Sequence, residues 1–228
     1  MNDILLHQWE ISPFCGKVRR MLAHKELPFA VRNYNGLRAP LAASLSAVGK
    51  LPVLDINGER IQDSRRIATY LEQHFPQRPL LPAKPEQRAR VEILQDWADE
   101  SLYWYNFYFR LNYEDAWDKT ARFFAKGRPV WEKQLVKSLG RRPYLKQLQA
   151  QGIGRQDRAT VEARFNLLLD ALETELEQGP WLVTNQKTLA DIAVASFLLE
   201  IQRTSHLASA LRQRTPLQDW MQRVDSAQ

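Results

Sequence analysis

The 228-residue sequence has a net charge of +6, a sequence pI near 9.5 and a hydrophobic fraction of 44%. Its apolar runs are too short to cross a bilayer, its start lacks the pattern of a secretory signal, and its single cysteine excludes an internal disulfide framework. The four histidines are scattered without ligand spacing, so we expect no metal site. The basic balance favours an anionic ligand over nucleic acid. We therefore expect a cytoplasmic globular protein without a membrane partner.

Strand and helix signals alternate at the start of the chain. Ile4 to Trp9 is a short apolar run typical of a strand. A helix is predicted from Ser12-Pro13, because Ser is a good N-cap and Pro a good first helical residue. A second strand is predicted over 29–33, and the loop that follows should contain a short helix near 41–47. With the segment described next, the order is strand, helix, strand, helix, strand, strand, helix.

The stretch Gly49–Tyr70 reads GKLPVLDINGERIQDSRRIATY and predicts a hairpin followed by a helix. Leu51-Pro52-Val53-Leu54 is a strand with its proline at the entrance, because proline has no N–H for a sheet interior. Asn57-Gly58 supplies the two-residue turn, since both residues tolerate positive φ. Asp63-Ser64 then begins a helix with Ile67 on its apolar face. The exposed backbone beside the proline and the N–H groups at the helix start suit an extended, peptide-like ligand that ends in a carboxylate.

Leu51-Pro52-Val53-Leu54, followed by Asp63-Ser64 and Ile67, resembles the glutathione-binding half of cytosolic glutathione transferases, and the predicted element order is thioredoxin-like. In that family the proline is cis, and the residue before it pairs its backbone with the cysteinyl part of glutathione. An acidic residue followed by Ser binds the γ-glutamyl end. The resemblance thus implies glutathione as co-substrate and assigns to its binding Ser12, Phe14, Lys50, Leu51, Pro52, Asp63 and Ser64.

The segment Ser12-Pro13-Phe14-Cys15 stands where glutaredoxins carry Cys-x-x-Cys and where transferases carry their catalytic residue. The run Trp9–Arg19 is most similar to Ser-type transferases, including the plant tau class. There the Ser hydroxyl donates a hydrogen bond to the glutathione sulfur, and with the positive helix end it favours the thiolate over a thiol of pKa about 8.5. Ser12 is therefore a catalytic candidate, although a plain helix cap would use the same hydroxyl. Cys15, one turn on, is either a small buried hydrophobe or a second catalytic candidate, whose thiol would form a mixed disulfide with glutathione.

A linker and an all-helical half are predicted after the last strand. Residues 76–85 contain four prolines and no helical period, which indicates a stiff linker. The remaining residues, 86–228, are expected to form an all-α substrate domain with helices over 86–113, 117–140 (broken or kinked at Gly127-Arg128-Pro129), 146–152 and 157–177. Thr188 and Asp191 predict a capping box that opens a buried, nearly all-apolar helix. The part from about 141 to 191 is also similar to the metaxin and failed-axon-connection branch, which includes members not known as enzymes.

An aromatic run from Tyr103 to Phe109 lies in the first of these helices. Because adjacent residues point all round a helix, some of these rings must belong to a core or an interface. Tyr103, Phe107 and Arg110 share one face at spacings of four and three. The family resemblance places the substrate pocket between this helix and the Ser12 loop, so these three residues are the expected pocket members.

Together these features predict the glutathione transferase fold, with a thioredoxin-like α/β domain over 1–75, a linker over 76–85 and a helical domain over 86–228. The expected reaction is attack of the glutathione thiolate, held at Ser12, on an apolar electrophile. The resemblance further implies a detoxification role and a homodimer. Two alternatives stay open: a glutathione-dependent thiol transferase that uses Cys15, and a non-catalytic protein of the same fold that acts through protein partners.

Overall fold

The computed structural model, which describes residues 3–226, opens with a four-stranded mixed sheet. Its strands are β1 Ile4–Gln8, β2 Ala30–Asn33, β3 Val53–Ile56 and β4 Glu59–Gln62. In space they lie in the order β2-β1-β3-β4, with β2 parallel to β1 and the other neighbouring pairs antiparallel. Asn57 and Gly58 have φ of 51° and 84°, as the predicted two-residue turn requires.

Three α-helices accompany the sheet in the first half: α1 Pro13–His24, α2 Ala39–Ala42 and α3 Ser64–His74. Short 3₁₀ turns at Gly36–Arg38 and Ala43–Leu45 flank α2. The short helix predicted near 41–47 corresponds to the end of α2 and the second of these turns. The predicted thioredoxin-like order of elements is confirmed.

The second half consists of helices, and no strand occurs between residues 85 and 226 of the described chain. The helices are α4 Pro85–Asp96, α5 Tyr103–Leu111, α6 Glu114–Phe124, α7 Val130–Leu139, α8 Arg141–Gln151, α9 Arg158–Leu176, α10 Leu189–Thr204, α11 Ala208–Gln213 and α12 Thr215–Asp225. None of the described helices is both long and apolar enough to cross a membrane.

Several helix boundaries differ from those expected, and proline or glycine lies at or near most of them. The helix predicted over 117–140 begins earlier, at Glu114, and it is divided into α6 and α7 at the expected place, where Gly127 has φ of 73°. Helix α8 begins at Arg141, five residues before the predicted start, and Pro143 lies in its first turn. Pro85, expected in the linker, is the first residue of α4. In a first helical turn the missing N–H of proline costs no intrahelical hydrogen bond.

A π-helical segment, Trp97–Leu102, joins α4 to α5 in what the sequence indicated as one continuous helix. Its i→i+5 hydrogen bonds make a wider turn than those of an α-helix, so the register of the following residues shifts. The shift has a consequence for the site, because Asp99 lies within the segment and Tyr103 follows it directly.

One hydrophobic core runs through both halves of the fold. Helix α10 lies at its centre and packs against α1 of the first half as well as α4 and α5 of the second. Every residue from Leu189 to Leu198 is buried, as its apolar composition predicts. The two halves are therefore held in one arrangement by a shared apolar interface.

The capping box at the start of α10 is present. The Asp191 carboxylate accepts hydrogen bonds from the Thr188 N–H at 2.8 Å and the Thr188 hydroxyl at 2.9 Å. It also accepts bonds from the Leu182 N–H at 2.9 Å and the Trp220 indole N–H at 3.0 Å. Asp191 thereby ties the preceding loop and α12 to the core helix.

We predict that Asp191→Ala lowers the free energy of unfolding by at least about 3 kcal/mol, because it leaves several buried donors unsatisfied at roughly 1–3 kcal/mol each. The matched control is Asp157→Ala, which removes the exposed N-cap carboxylate of α9 and should cost about 1 kcal/mol. Urea unfolding followed by circular dichroism measures both. Equal losses in the two variants would show that Asp191 acts only as a helix cap.

Candidate active site

Three sequence motifs meet at one edge of the sheet. In the observed register His7 of β1 lies opposite Val53 of β3, and Val53 lies opposite Gln62 of β4. The chain leaves β1 toward Ser12, enters β3 from Leu51-Pro52 and leaves β4 toward Asp63. Since antiparallel neighbours place the end of one strand beside the start of the next, these segments lie side by side. The Asp63 N–H donates to the Pro52 carbonyl at 3.3 Å, which joins two of them directly.

Ser12 is the N-cap of α1 and has extended backbone angles, as predicted from Ser12-Pro13. Its Oγ accepts a hydrogen bond from the Cys15 N–H at 3.3 Å. Because the hydroxyl acts as acceptor in this bond, its own proton remains available for donation. Capping and donation to a ligand sulfur are therefore compatible functions of one side chain.

Cys15 is fully buried within α1. Burial raises the pKa of its thiol, against the opposing effects of the Ser12 hydroxyl, the Trp9 backbone and the Arg19 charge. A thiol needs exposure and a lowered pKa to be reactive. The surroundings of Cys15 match those of a small core residue.

The entrance of β3 has the features expected for pairing with an extended ligand. The Leu51–Pro52 peptide bond is cis. Within the described residues the Leu51 N–H and C=O have no hydrogen-bond partner. Lys50 is exposed, and its ammonium group has no ion-pair partner in the described chain. The backbone of Lys50 is held by Ser46, whose Oγ bonds the Lys50 N–H and C=O at 3.3 and 3.2 Å.

The N-terminus of α3 presents Asp63 and Ser64 at the same edge. Asp63 has φ of 76°, and its carboxylate caps the helix by accepting the N–H groups of Arg65 at 2.9 Å and Arg66 at 3.2 Å. Ser64 is only 3% exposed as a residue, and its hydroxyl makes no hydrogen bond within the described part of the chain. That hydroxyl is not among the fully buried unpaired atoms, so it reaches the surface and is a suitable partner for a ligand carboxylate beside a helix N-terminus.

A buried ion pair lies beneath this edge and joins the two halves. Lys17 of α1 is fully buried, and its Nζ donates to the Asp99 carboxylate at 2.7 and 3.0 Å. Burial lowers the pKa of Lys17, opposed by Asp99, while Arg65 and Asp63 act as weaker electrostatic neighbours. Asp99 belongs to the π-helical segment, whose wide turn brings it to α1.

An aromatic wall of four rings begins at Phe14, two residues after Ser12. Phe14 contacts Tyr103, with ring centroids 5.5 Å apart, and Tyr103 stacks on Phe107 at 5.5 Å. Phe107 in turn meets the edge of Tyr144 at 5.5 Å. Burial raises the pKa of both Tyr103 and Tyr144, so both phenols stay protonated at neutral pH. The predicted pair Tyr103 and Phe107 is thus brought together with Phe14, and Tyr144 joins them.

Arg110 is not seen to contact the rings of this wall, although its charge influences the pKa of Tyr103. It is 5% exposed, and its guanidinium donates to the Ile11 carbonyl at 2.9 Å and to the Thr204 hydroxyl at 3.4 Å. Arg110 therefore lies behind the Ser12 loop and supports it. Arg110 does follow Phe107 by three residues on the same helix, but its guanidinium points toward α10, where it donates to Thr204.

Sequence reasoning missed Lys17, Asp99 and Tyr144. Lys17 and Asp99 are 82 residues apart, and nothing local marks a lysine in a helix as buried. Tyr144 lies in the part of α8 that the sequence had left outside the helix. The one local signal was the pair of apolar residues near Lys17, which are Val18 and Met21. They could have indicated that this face of α1 is covered.

Two surface cavities lie elsewhere in the helical half. One, of about 510 Å³, is bounded by α9 and the start of α12, and the other, of about 590 Å³, by Trp104, Tyr105 and the turn after α8. Neither is lined by Ser12, Leu51 or Ser64. The polar groups of the candidate site lie instead at the sheet edge. The described residues hold no cluster of three or more metal-binding side chains.

Two family models match the chain. Residues 6–79 match the glutathione S-transferase N-terminal domain and residues 139–227 match the glutathione S-transferase C-terminal domain. Together the two matches cover most of the sequence and both halves of the fold. The chain belongs to the glutathione S-transferase family, a family of transferases whose co-substrate is glutathione.

Individual relatives agree with this membership. The isoprene-epoxide–glutathione S-transferase of Rhodococcus sp. (strain AD45) is 27% identical over 94% of this chain and 92% of its own. A glutathione S-transferase of Pseudomonas putida is 35% identical over 40% of this chain, and the match spans 42% of that protein's length. A glutathione S-transferase structure from Rhodospirillum rubrum F11 superposes with a TM-score of 0.67 at 22% identity, covering 98% of this chain and 88% of that one. At 22% identity, the superposition on the Rhodospirillum structure shows a shared fold and no more.

We predict that Cys15 in the native protein resists alkylation by iodoacetamide at pH 8, because the thiol is buried and burial raises its pKa. In denaturant the same cysteine should react at the rate of an ordinary thiol. Mass spectrometry of the single-cysteine chain counts the adduct directly, with free glutathione in the same tube as the reactive control. Rapid labelling of folded protein at Cys15 would favour the thiol-transfer mechanism instead.

Proposed function

We propose that this protein conjugates glutathione to an apolar electrophile, with Ser12 as the residue that holds the thiolate. The observation that carries the proposal is the position of Ser12. Its hydroxyl caps α1 as an acceptor, so this bond does not use its proton, and Phe14, two residues on, contacts the aromatic ring of Tyr103. A hydroxyl donor and a helix N-terminus both favour an anionic sulfur at that point.

Glutathione fits the polar groups that the fold leaves without partners. In this proposal the unpaired backbone of Leu51 would pair with the cysteinyl unit, as an added strand does at a sheet edge. The Ser64 hydroxyl and the Asp63 turn would bind the γ-glutamyl end, and the Lys50 ammonium would meet a carboxylate. Pro52 and Phe14 would border the ligand. When bound, glutathione supplies the nucleophilic sulfur.

The aromatic wall supports an apolar co-substrate. Phe14, Tyr103, Phe107 and Tyr144 form a continuous ring surface that begins two residues after Ser12. A surface of this kind gains from covering apolar area, which contributes about 25 cal/mol per Å². The Rhodococcus relative carries the name of an epoxide, and small epoxides are one class of electrophile that such a wall would accept.

The chemistry requires little covalent participation by the protein. The sulfur forms a bond to an electrophilic carbon, and the carbon–oxygen bond of an epoxide, or the bond to another leaving group, breaks. The thiol proton passes to solvent before the attack. An opening epoxide oxygen takes a proton in turn, and the protonated phenols of Tyr103 and Tyr144 are the nearest proton donors on the wall.

Thiol transfer through Cys15 is less well supported, because the sulfur is buried and its pKa is raised. The non-catalytic alternative gives no reason for an unpaired Ser64 hydroxyl at a helix N-terminus. We further propose a homodimer and a cytoplasmic location with a detoxification role, on family membership. Light scattering at micromolar concentration measures the first, and a monomer mass would contradict it.

We predict that Ser12→Ala lowers kcat/KM at neutral pH about ten- to hundredfold, since a hydrogen bond to a charged group is worth roughly 1.5–3 kcal/mol. Part of the rate should return as pH rises, because solvent then deprotonates the thiol unaided. The matched control is Cys15→Ser, which changes the only cysteine and should leave conjugation nearly intact.

Each variant is assayed with a chlorinated aromatic electrophile and with a mixed-disulfide substrate. If Cys15→Ser lost both activities and Ser12→Ala lost neither, the nucleophile would be the Cys15 thiol. A glutathione thiolate held at Ser12 would then be excluded.

We predict that Ser64→Ala weakens glutathione binding by about 1–3 kcal/mol, because the ligand loses its partner at a nearly buried position. Thr69→Ala is the control, since it removes another hydroxyl of α3 that is exposed and bonds only along its own helix, to the Arg65 carbonyl at 3.1 Å. Calorimetric titration of both folded variants measures the difference. Unchanged affinity in Ser64→Ala would move the ligand away from α3.

A further inference from the structure

Arginine side chains form hydrogen bonds and an ion pair with the loop residues just before Ser12. The Arg19 Nη2 donates to the Glu10 carbonyl at 3.1 Å, and the Arg110 Nη2 donates to the Ile11 carbonyl at 2.9 Å. Arg203 binds the Glu10 side chain at 2.5 Å. Each arginine comes from a different helix, α1, α5 or α10, so the loop is fixed by elements of both halves.

The three arginines meet at one buried carboxylate. Glu200 of α10 is 3% exposed and has an Arg19 nitrogen at 4.0 Å, an Arg110 nitrogen at 3.8 Å and an Arg203 nitrogen at 3.3 Å. Within the described residues its Oε2 has no hydrogen-bond partner. The Glu200 carboxylate is thus the ion-pair partner that all three arginines share, while Arg203 also pairs with Glu10.

Removal of that charge would leave Arg19 and Arg110 without their carboxylate partner, while Arg203 would keep Glu10. Buried like charges repel strongly, and a buried ion without its partner is costly. The arginines would be expected to separate or to turn toward solvent. In either case Arg110 and Arg19 would release the two carbonyl groups that immediately precede Ser12.

We propose that Glu200 is a positioning residue for the active site, which acts by keeping Arg19 and Arg110 on the Glu10 and Ile11 carbonyl oxygens and so keeps the Ser12 hydroxyl aimed at the ligand sulfur. This inference rests on the proposed role of Ser12. It concerns a group that touches neither ligand and that no sequence pattern singled out.

The direction in which the pH midpoint of kcat/KM moves when Glu200 loses its charge distinguishes a positioning role from a direct electrostatic effect. The Glu200 charge raises the pKa of the neighbouring Cys15 thiol, so by charge alone its removal would favour a thiolate near Ser12. Loss of positioning has the opposite sign, because the thiolate loses its hydrogen bond. The charged and titratable groups around Glu200 are Cys15 and Arg19 on α1, Arg110 on α5 and Arg203 on α10, with Glu10 and Lys126 beyond Arg203.

The test compares Glu200→Gln with Asp225→Asn. Asp225 pairs with Arg20 on the same helix α1 at 2.6 Å but belongs to α12, on another side of the helix. In Glu200→Gln the pH midpoint of kcat/KM should rise by about one unit, so that the rate at neutral pH falls about tenfold. KM for the electrophile should stay the same, since the aromatic wall is intact. In Asp225→Asn the midpoint should not move.

A second variant keeps the test decisive if Glu200→Gln folds poorly. Arg110→Lys keeps the positive charge but has no second nitrogen to reach the Ile11 carbonyl, and it should raise the midpoint in the same direction. A midpoint that falls or stays in both variants would overturn the proposal, while loss of stability alone would assign Glu200 a purely structural role.

Hydrogen exchange gives a readout that does not depend on activity. Peptides that cover residues 9–12 should exchange faster in Glu200→Gln than in the wild type, and no faster in Asp225→Asn. If the wild type fails to bind glutathione, the proposed function falls, yet this comparison still decides whether Glu200 holds the loop. If the wild type conjugates glutathione and the loop exchanges equally in all three proteins, only the positioning role is wrong.

Discussion

The alignment of His7, Val53 and Gln62 across three strands is the constraint on which the site depends. A slip of one residue between β1 and β3 would turn Leu6 and Leu54 from the core to the opposite face, so the apolar pattern fixes the register. With that register, the ends of β1 and β4 and the beginning of β3 must lie together. Ser12, Leu51 and Asp63 are near neighbours because the core demands it, and their chemistry is a consequence of sheet packing.

Helix α1 transmits this arrangement to the helical half. Its N-terminus carries Ser12, and three of its charged residues, Lys17, Arg19 and Arg20, meet Asp99, Glu200 and Asp225 of the other half. Burial of such charges is costly, and pairing returns little net stability. The ion pairs instead fix the orientation of α1, because each pair can form in only one placement of the helix. Apolar packing of α10 on α1 holds the halves together, and the charges fix how they sit.

Local signals in the sequence were sufficient for the elements that local chemistry decides. Ser12-Pro13 predicted a helix start, Asn57-Gly58 predicted a turn, and Thr188 with Asp191 predicted a capping box, since each depends on residues within a few positions. The π-helical segment was not predicted, because nothing in its own composition marks it, and the partner of its Asp99 is Lys17, 82 residues away. The role of Arg110 likewise depends on Ile11, 99 residues away, and helical spacing alone cannot tell which face meets which neighbour.

Ser12 and Cys15 differ in what the N-terminus of α1 can do for a sulfur atom at each position. The positive end of a helix stabilises a nearby anion by about 0.3–1 kcal/mol at exposed sites. Cys15 lies inside the first turn and is fully buried, so desolvation outweighs that gain and raises its pKa. In the proposed function, a ligand sulfur at Ser12 would meet the same helix end and a hydroxyl donor without being buried inside the helix. Such a site would stabilise a sulfur that arrives with a ligand, as conjugation requires, and not the sulfur of Cys15.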